Sequence, residues 1–199
     1  MAAVGALTAN DPRLAALVAR NGNPPLWRRP EGFATLVKMI LEQQVSLASA
    51  AAAYRRLEHT LGSVGPAGFL ELSDQSLLEI GFSRQKAGYC RGLASGLLDG
   101  RIELDRLGEI DDDEVRRRLV AIRGVGPWTA NVYLMFALGR PDVWPPGDRA
   151  LLVALGSLLG RPPLESTEAV KYATRWRPWR SVAARILWHD YLARAEGPA

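Results

Sequence analysis

Residues Leu119–Asp148 read LVAIRGVGPWTANVYLMFALGRPDVWPPGD. The first part has the form L-x-x-I-x-G-V-G-x-x-T-A: an apolar helix end, a turn with two glycines, and a new helix opened by Pro127. Glycine at 124 and 126 lets the backbone take φ > 0 and lets another backbone approach closely, because no Cβ stands in the way. Pro127 suits the first turn of the following helix, where its missing N–H costs nothing. Such a turn is expected to point N–H groups outward at a helix N-terminus, an arrangement that binds anions, phosphate above all. Taken alone, the same turn serves as an ordinary corner between two helices. Further on, Pro145-Pro146-Gly147 makes a second turn, and Asp148 precedes a run, Arg149-Ala150-Leu151-Leu152, that reads as a helix.

Outward from that stretch the pattern is helical throughout. Asp11-Pro12 opens a short helix, and Asn21 to Pro30 reads as a Gly/Pro/Asn-rich loop. From Glu31, Phe33, Leu36, Val37, Ile40 and Leu41 recur at helical spacing, with an end near Glu42. Ser46 is an N-cap for a second helix through Leu61, leaving Gln43, Gln44 and Val45 in the turn. Ser73 and Ser83 cap helices to Ile80 and Leu98. The acidic run Asp111-Asp112-Asp113-Glu114 stands where carboxylates favour the dipole of the next helix, a structural role rather than a metal site. Beyond Asp148 come a helix to Gly160, a Pro162-Pro163 break, a helix from Thr167 to Trp176 and a last one from about Trp179 to Ala195. No period-2 strand pattern and no internal repeat interrupts this, so the expected fold class is all-α.

Composition narrows the function. The 199 residues suffice for a real core. No apolar run reaches the length of a membrane span, and the first residues lack a secretory signal pattern. One cysteine, Cys90, excludes an internal disulfide and a four-cysteine iron–sulfur cluster, and makes a reduced, cytoplasmic setting the simplest expectation. The net charge of +4 suggests a polyanionic partner. Arginine supplies 22 of the 25 basic residues, a choice that suits phosphate but also follows from a GC-rich coding sequence.

The hairpin with Thr129-Ala130, the Pro/Gly loop and the aspartate after it resemble the helix-hairpin-helix (HhH-GPD) DNA glycosylase superfamily. A third similarity lies in Arg175-Trp176-Arg177-Pro178-Trp179-Arg180-Ser181 with Trp188-His189, which look like the W-[KR]-P-W-R-S segment and aromatic pair of the inducible 3-methyladenine DNA glycosylase II (AlkA) family. The resemblance covers about Glu31 to Tyr191 and fits the compact members without an N-terminal β domain. It implies two helical subdomains with a cleft between them: 31–147 as a barrel carrying the hairpin, and 1–30 with 148–199 as the second.

The resemblance also implies roles. Asp148, which alone would pass as an ordinary helix N-cap, faces the sugar of an extruded nucleotide. Gly124, Val125, Gly126 and Thr129 hold the DNA backbone through their N–H groups. Trp128 and Trp188 are candidate walls of the base pocket, although Trp128 shares a helical face with Val132 and Met135 and packs equally well as core. Trp128 also stands where strand-cutting relatives carry a lysine, and the three lysines, Lys38, Lys86 and Lys171, lie outside the hairpin. Gln44, or Gln43 beside it, fills the gap left by the flipped nucleotide. At Gln44 the glycosylase II pattern has leucine, and at Gly147 it has a further aspartate, so Asp148 is left as the one carboxylate there.

The expected function is a monofunctional glycosylase in base excision repair, acting as a monomer on damaged double-stranded DNA and removing alkylated bases of the 3-methyladenine type. It needs no metal centre. The only cofactor implied is a monovalent cation at the hairpin when DNA is bound. A glycosylase for deaminated or oxidised bases is the rival enzyme, and a non-catalytic DNA-binding hairpin is the rival from another class. The spacing of Asp148 after the hairpin argues against the second.

Overall fold

The computed structural model describes residues 2–195, and every regular element among them is helical. Contacts divide the chain into two compact units: residues up to Arg28 together with those from Leu134 onward, and Arg29–Tyr133.

The unit of Arg29–Tyr133 is built on α3 (Phe33–Glu42), whose Phe33, Leu36, Val37, Met39, Ile40 and Leu41 are all buried. Burying each such side chain contributes roughly 1.5–3 kcal/mol before entropy is set against it. α4 (Leu47–Leu61) and α7 (Arg84–Leu98) pack on α3, α5 (Pro66–Glu71) packs on α7, and α6 (Asp74–Ile80) packs on α4 and α7. The caps fall where sequence places them: Ser46, Ser73 and Ser83 each accept a backbone N–H of the first turn of α4, α6 and α7. Phe69 holds the layer together, meeting Phe33 and Phe82 edge-on at 5.8 and 5.5 Å. Asp111 caps α8 (Asp112–Val120) through the N–H groups of Asp113 and Glu114, the structural role expected of the acidic run. α9 (Pro127–Phe136) then carries the chain out of this unit.

The other unit contains α1 (Ala2–Asn10), α2 (Pro12–Asn21), α10 (Arg149–Leu158), α11 (Ser166–Ala173) and α12 (Arg180–Ala195). α12 packs on α10 and α2. Asp190 of α12 is buried and accepts from Arg20 and from Asn21 (2.8 Å), while Arg194 pairs with it at 2.9 Å. Trp176 is buried too, and its indole N–H donates to Asp11 at 2.9 Å. Asp11 in turn caps α2.

The contact boundary at Tyr133/Leu134 differs from the sequence division at 147/148. Residues 134–147 belong with α12 because Ser181 accepts the Val143 N–H (2.9 Å) and donates to the Arg140 carbonyl (2.7 Å), while Arg180 grips Asp142 through Nε (2.8 Å) and Nη2 (2.9 Å). Those bonds span about forty residues and leave no local mark in the sequence. Helices α1 and α5 were also unanticipated. AAVGALTAN has no apolar stripe and buries only Leu7, and the six residues of α5 are too few to show a period.

Candidate functional site

The hairpin joins α8 to α9, and its two glycines turn out to do different things. Gly124 has φ +91, and a Cβ there would run into the Tyr89 ring, so glycine is demanded by backbone and neighbour alike. Gly126 is different. It is absent from the left-handed region, and a Cβ would meet nothing within 4 Å. The expectation of positive φ at both positions therefore holds only for Gly124. Val125 also departs from expectation: its side chain is buried and its N–H donates to the Ile122 carbonyl (3.0 Å), so that donor is taken up inside the turn. Arg123 is exposed, with its guanidinium 5.7 Å from the Tyr89 ring centre.

The turn between α3 and α4 is tied to the hairpin. Gln43 Nε2 donates to the Gly124 carbonyl (2.9 Å) and to Thr129 Oγ1 (3.3 Å), and Thr129 is buried. The Gln43 side chain is thereby turned toward the hairpin, where it positions the turn instead of projecting from it. Lys86 on α7 adds a second tie, donating from Nζ to the carbonyls of Leu41 (2.8 Å) and Gln43 (2.7 Å) and so capping the end of α3. Burial lowers the Lys86 pKa, and Cys90 opposes this. Burial likewise pushes the Cys90 thiol up to about 12, which makes it inert.

With the chain held at Gln43, Gln44 takes φ +57 and is exposed, as are Val45 and Leu47 beside it. Left-handed backbone in a residue other than glycine is uncommon and marks a constrained position. Gln43, Gln44, Gly124, Gly126, Trp128 and Tyr89 line one open depression of about 640 Å³. Trp128 is half-buried at its rim, while Val132 and Met135 of the same helix are buried.

In the other unit, Gly147 (φ +74) turns the chain into Asp148, which caps α10 by accepting the Leu151 N–H at 2.8 Å. Trp188 of α12 donates its indole N–H to the same carboxylate oxygen, Oδ1, at 3.0 Å. Asp148 is thus buried and held in one rotation by two donors from different helices. Sequence named both residues but did not connect them. It named Trp188 as a wall of the pocket but missed the two rings beside it: Phe136 lies 5.6 Å from Trp188, and Trp27 meets Phe136 edge-on at 6.2 Å. Trp27 falls in the segment read only as a loop.

No group of three or more His, Cys, Asp or Glu is placed to hold a metal ion among the described residues, and no helix is long and apolar enough to cross a membrane.

The sequence profile of the HhH-GPD superfamily of base excision DNA repair proteins matches residues 37–180. The chain belongs to that superfamily. It is 30% identical over 188 residues to YfjP of Bacillus subtilis (strain 168), provisionally named as a DNA-3-methyladenine glycosylase; the match covers 89% of this chain and 65% of that relative's length. The crystal structure of DNA-3-methyladenine glycosidase from Bacillus halodurans superposes with a TM-score of 0.81 at 32% identity, covering 98% of this chain and 91% of that one. The 3-methyladenine DNA glycosylase of Schizosaccharomyces pombe in complex with abasic DNA superposes with a TM-score of 0.86 at 25% identity, covering 94% and 95%. The HhH-GPD fold and its hairpin are therefore those of this chain.

Proposed function

We propose that this HhH-GPD protein is a monofunctional DNA glycosylase that flips alkylated bases of the 3-methyladenine type out of duplex DNA and hydrolyses their N-glycosidic bond. The observation that carries the reading is the Asp148 carboxylate, buried at the N-terminus of α10 and fixed by the Trp188 indole. A carboxylate so held stabilises positive charge developing on a sugar. The names of the two glycosylases solved as structures support the same substrate class.

In this mechanism the C1′–N bond breaks with its electron pair going to the base. An alkylated purine begins positively charged and leaves neutral, so no general acid is needed. Water then bonds C1′ and gives up its proton, assisted by Asp148. Trp188 presents an aromatic surface to the cationic base, an attraction of roughly 0.5–2 kcal/mol. Extrusion costs a few kcal/mol, and Gln44, exposed on its constrained turn, is assigned to the vacated space. The open face at Gly126 suits a phosphodiester backbone. The turn carbonyls beside it would hold a monovalent cation. The carbonyls of Ile122 and Gly124 each take one hydrogen bond, and a carbonyl oxygen has a second lone pair. Such an ion would supply positive charge for a DNA phosphate.

A strand-cutting reaction needs an amine nucleophile. The Lys86 ammonium is engaged with two carbonyls, and Lys38 stands 5.2 Å from the Tyr54 ring centre, which supports hydrolysis alone. The test is a set of duplexes carrying 3-methyladenine, 7-methylguanine, hypoxanthine or 8-oxoguanine. Release of the alkylated bases, with intact strands until alkali is added, is expected. Release only of hypoxanthine or 8-oxoguanine would replace the proposed substrate class, and no release from any duplex would leave a binding protein.

A further inference from the structure

Two arginines, Arg28 and Arg185, lie in the unit of Asp148 near its ring wall. Arg185 lies one turn before Trp188 on α12, and residues three apart share a helix face. Its Nη1 reaches the Leu26 carbonyl at 3.4 Å, but its Nε is buried without a hydrogen-bond partner. The charged neighbour that acts on it is Arg28, a second cation. Burial first, and then Arg28, lower the Arg185 pKa. Arg28 is exposed, and its guanidinium extends over Gly139, where a Cβ would lie 3.2 Å from Nη2. Among the described residues no carboxylate pairs with either arginine. Next to Arg28, Trp27 is held at φ +46 with its ring against Phe136, which leads through Trp188 to Asp148.

Burying a guanidinium beside another, with one donor unmatched, lowers stability in the free protein. The same arrangement becomes favourable once an anion joins the two forks, since guanidinium matches phosphate geometry with several charge-assisted hydrogen bonds. We propose that Arg28 and Arg185 form a phosphodiester-binding site that holds the DNA strand beside the Trp27–Phe136–Trp188 ring wall. The inference rests on the glycosylase reading above. It adds a backbone clamp, outside the hairpin, on the aromatic side of the carboxylate.

The experiment measures affinity for a duplex with a tetrahydrofuran abasic analogue, and for the undamaged duplex, between 50 and 200 mM KCl. The proteins are the wild type, Arg28→Gln, Arg185→Met and, as control, Arg106→Gln, which removes a surface arginine paired with Glu109. Each lost phosphate contact should reduce the slope of log affinity against log salt by about 0.9 and weaken binding about eightfold at 0.1 M salt, with the control unchanged. Melting of the free protein separates function from packing, because Arg185→Met should keep or raise the Tm while binding falls.

Unchanged slopes in both variants, with a wild type that releases base normally, would overturn the clamp and leave the glycosylase reading standing. So would a lowered Tm in Arg185→Met without a change in slope. A wild type that releases no base from any damaged duplex would overturn the glycosylase reading, and the slopes on undamaged duplex would still decide the clamp. Inorganic phosphate should raise the Tm of the wild type no more than that of the two variants, since its general stabilising effect is common to all three. A specific rise lost in both variants would make free phosphate the ligand and contradict the DNA assignment.

Discussion

Trp188 and Asp148, forty positions apart, meet through a 3.0 Å hydrogen bond from the indole Nε1 to Oδ1, the oxygen that also caps α10. The bond makes one residue both an aromatic surface and the orienter of the carboxylate. Trp188→Phe separates these roles, since it keeps a ring and removes the donor. Base release should slow by about tenfold to a hundredfold, each tenfold being about 1.4 kcal/mol. Affinity for abasic DNA should stay within about threefold. Equal losses in both measurements would reduce the indole to a packing residue.

The hairpin glycines give a contrasting pair. Gly126→Ala should fold normally, because its added methyl meets open space, yet weaken damaged and undamaged duplex alike. Gly124→Ala should instead lower Tm, because of its φ of +91 and its contact with Tyr89. Full DNA affinity in Gly126→Ala would remove that face of the hairpin from the interface.

At the turn, the two glutamines should behave differently. Gln44→Ala is expected to slow excision from paired duplex more than from single strands, whose bases are already unpaired. Gln43→Ala should impair both, since it cuts the bonds to Gly124 and Thr129 that position the turn. Equal behaviour of Gln44→Ala on the two substrates would contradict its assignment to the gap.

Much of this was legible because it is local. Ser46, Ser73, Ser83, Asp111 and Asp148 cap helices with their own side chains, and a cap needs only the three or four residues that follow it. The hairpin and the turn before Ser46 were located for the same reason. What the sequence concealed depends on residues distant in the chain. Tyr89 explains Gly124, Gly124 and Thr129 explain the inward turn of Gln43, and Ser181 explains where residues 134–147 belong. Trp27 was hidden because a loop has no period to betray an aromatic contact.

Asp190 provides a check on the unit that carries the carboxylate. Burial raises its pKa, but hydrogen bonds from Arg20 and Asn21 and the charge of Arg194 outweigh it, and the pKa is lowered overall. A depressed carboxylate stabilises the fold above its unfolded pKa, about 3.9, and this contribution is lost as pH falls through the lower folded value. Asp190→Asn should therefore cost on the order of 2 kcal/mol at pH 7, and progressively less below about pH 4. A penalty independent of pH, read from urea melts, would assign the loss to packing.

The most direct measurement is single-turnover release of 3-methyladenine from duplex DNA by Asp148→Asn. Asparagine still caps a helix and still offers an oxygen to the Trp188 and Leu151 N–H groups, so the fold and the indole contact are kept and only the charge is removed. Release should fall by about a thousandfold or more, with abasic-DNA affinity within about tenfold of wild type. Release within a few-fold of wild type would contradict the assignment of Asp148 as the catalytic carboxylate.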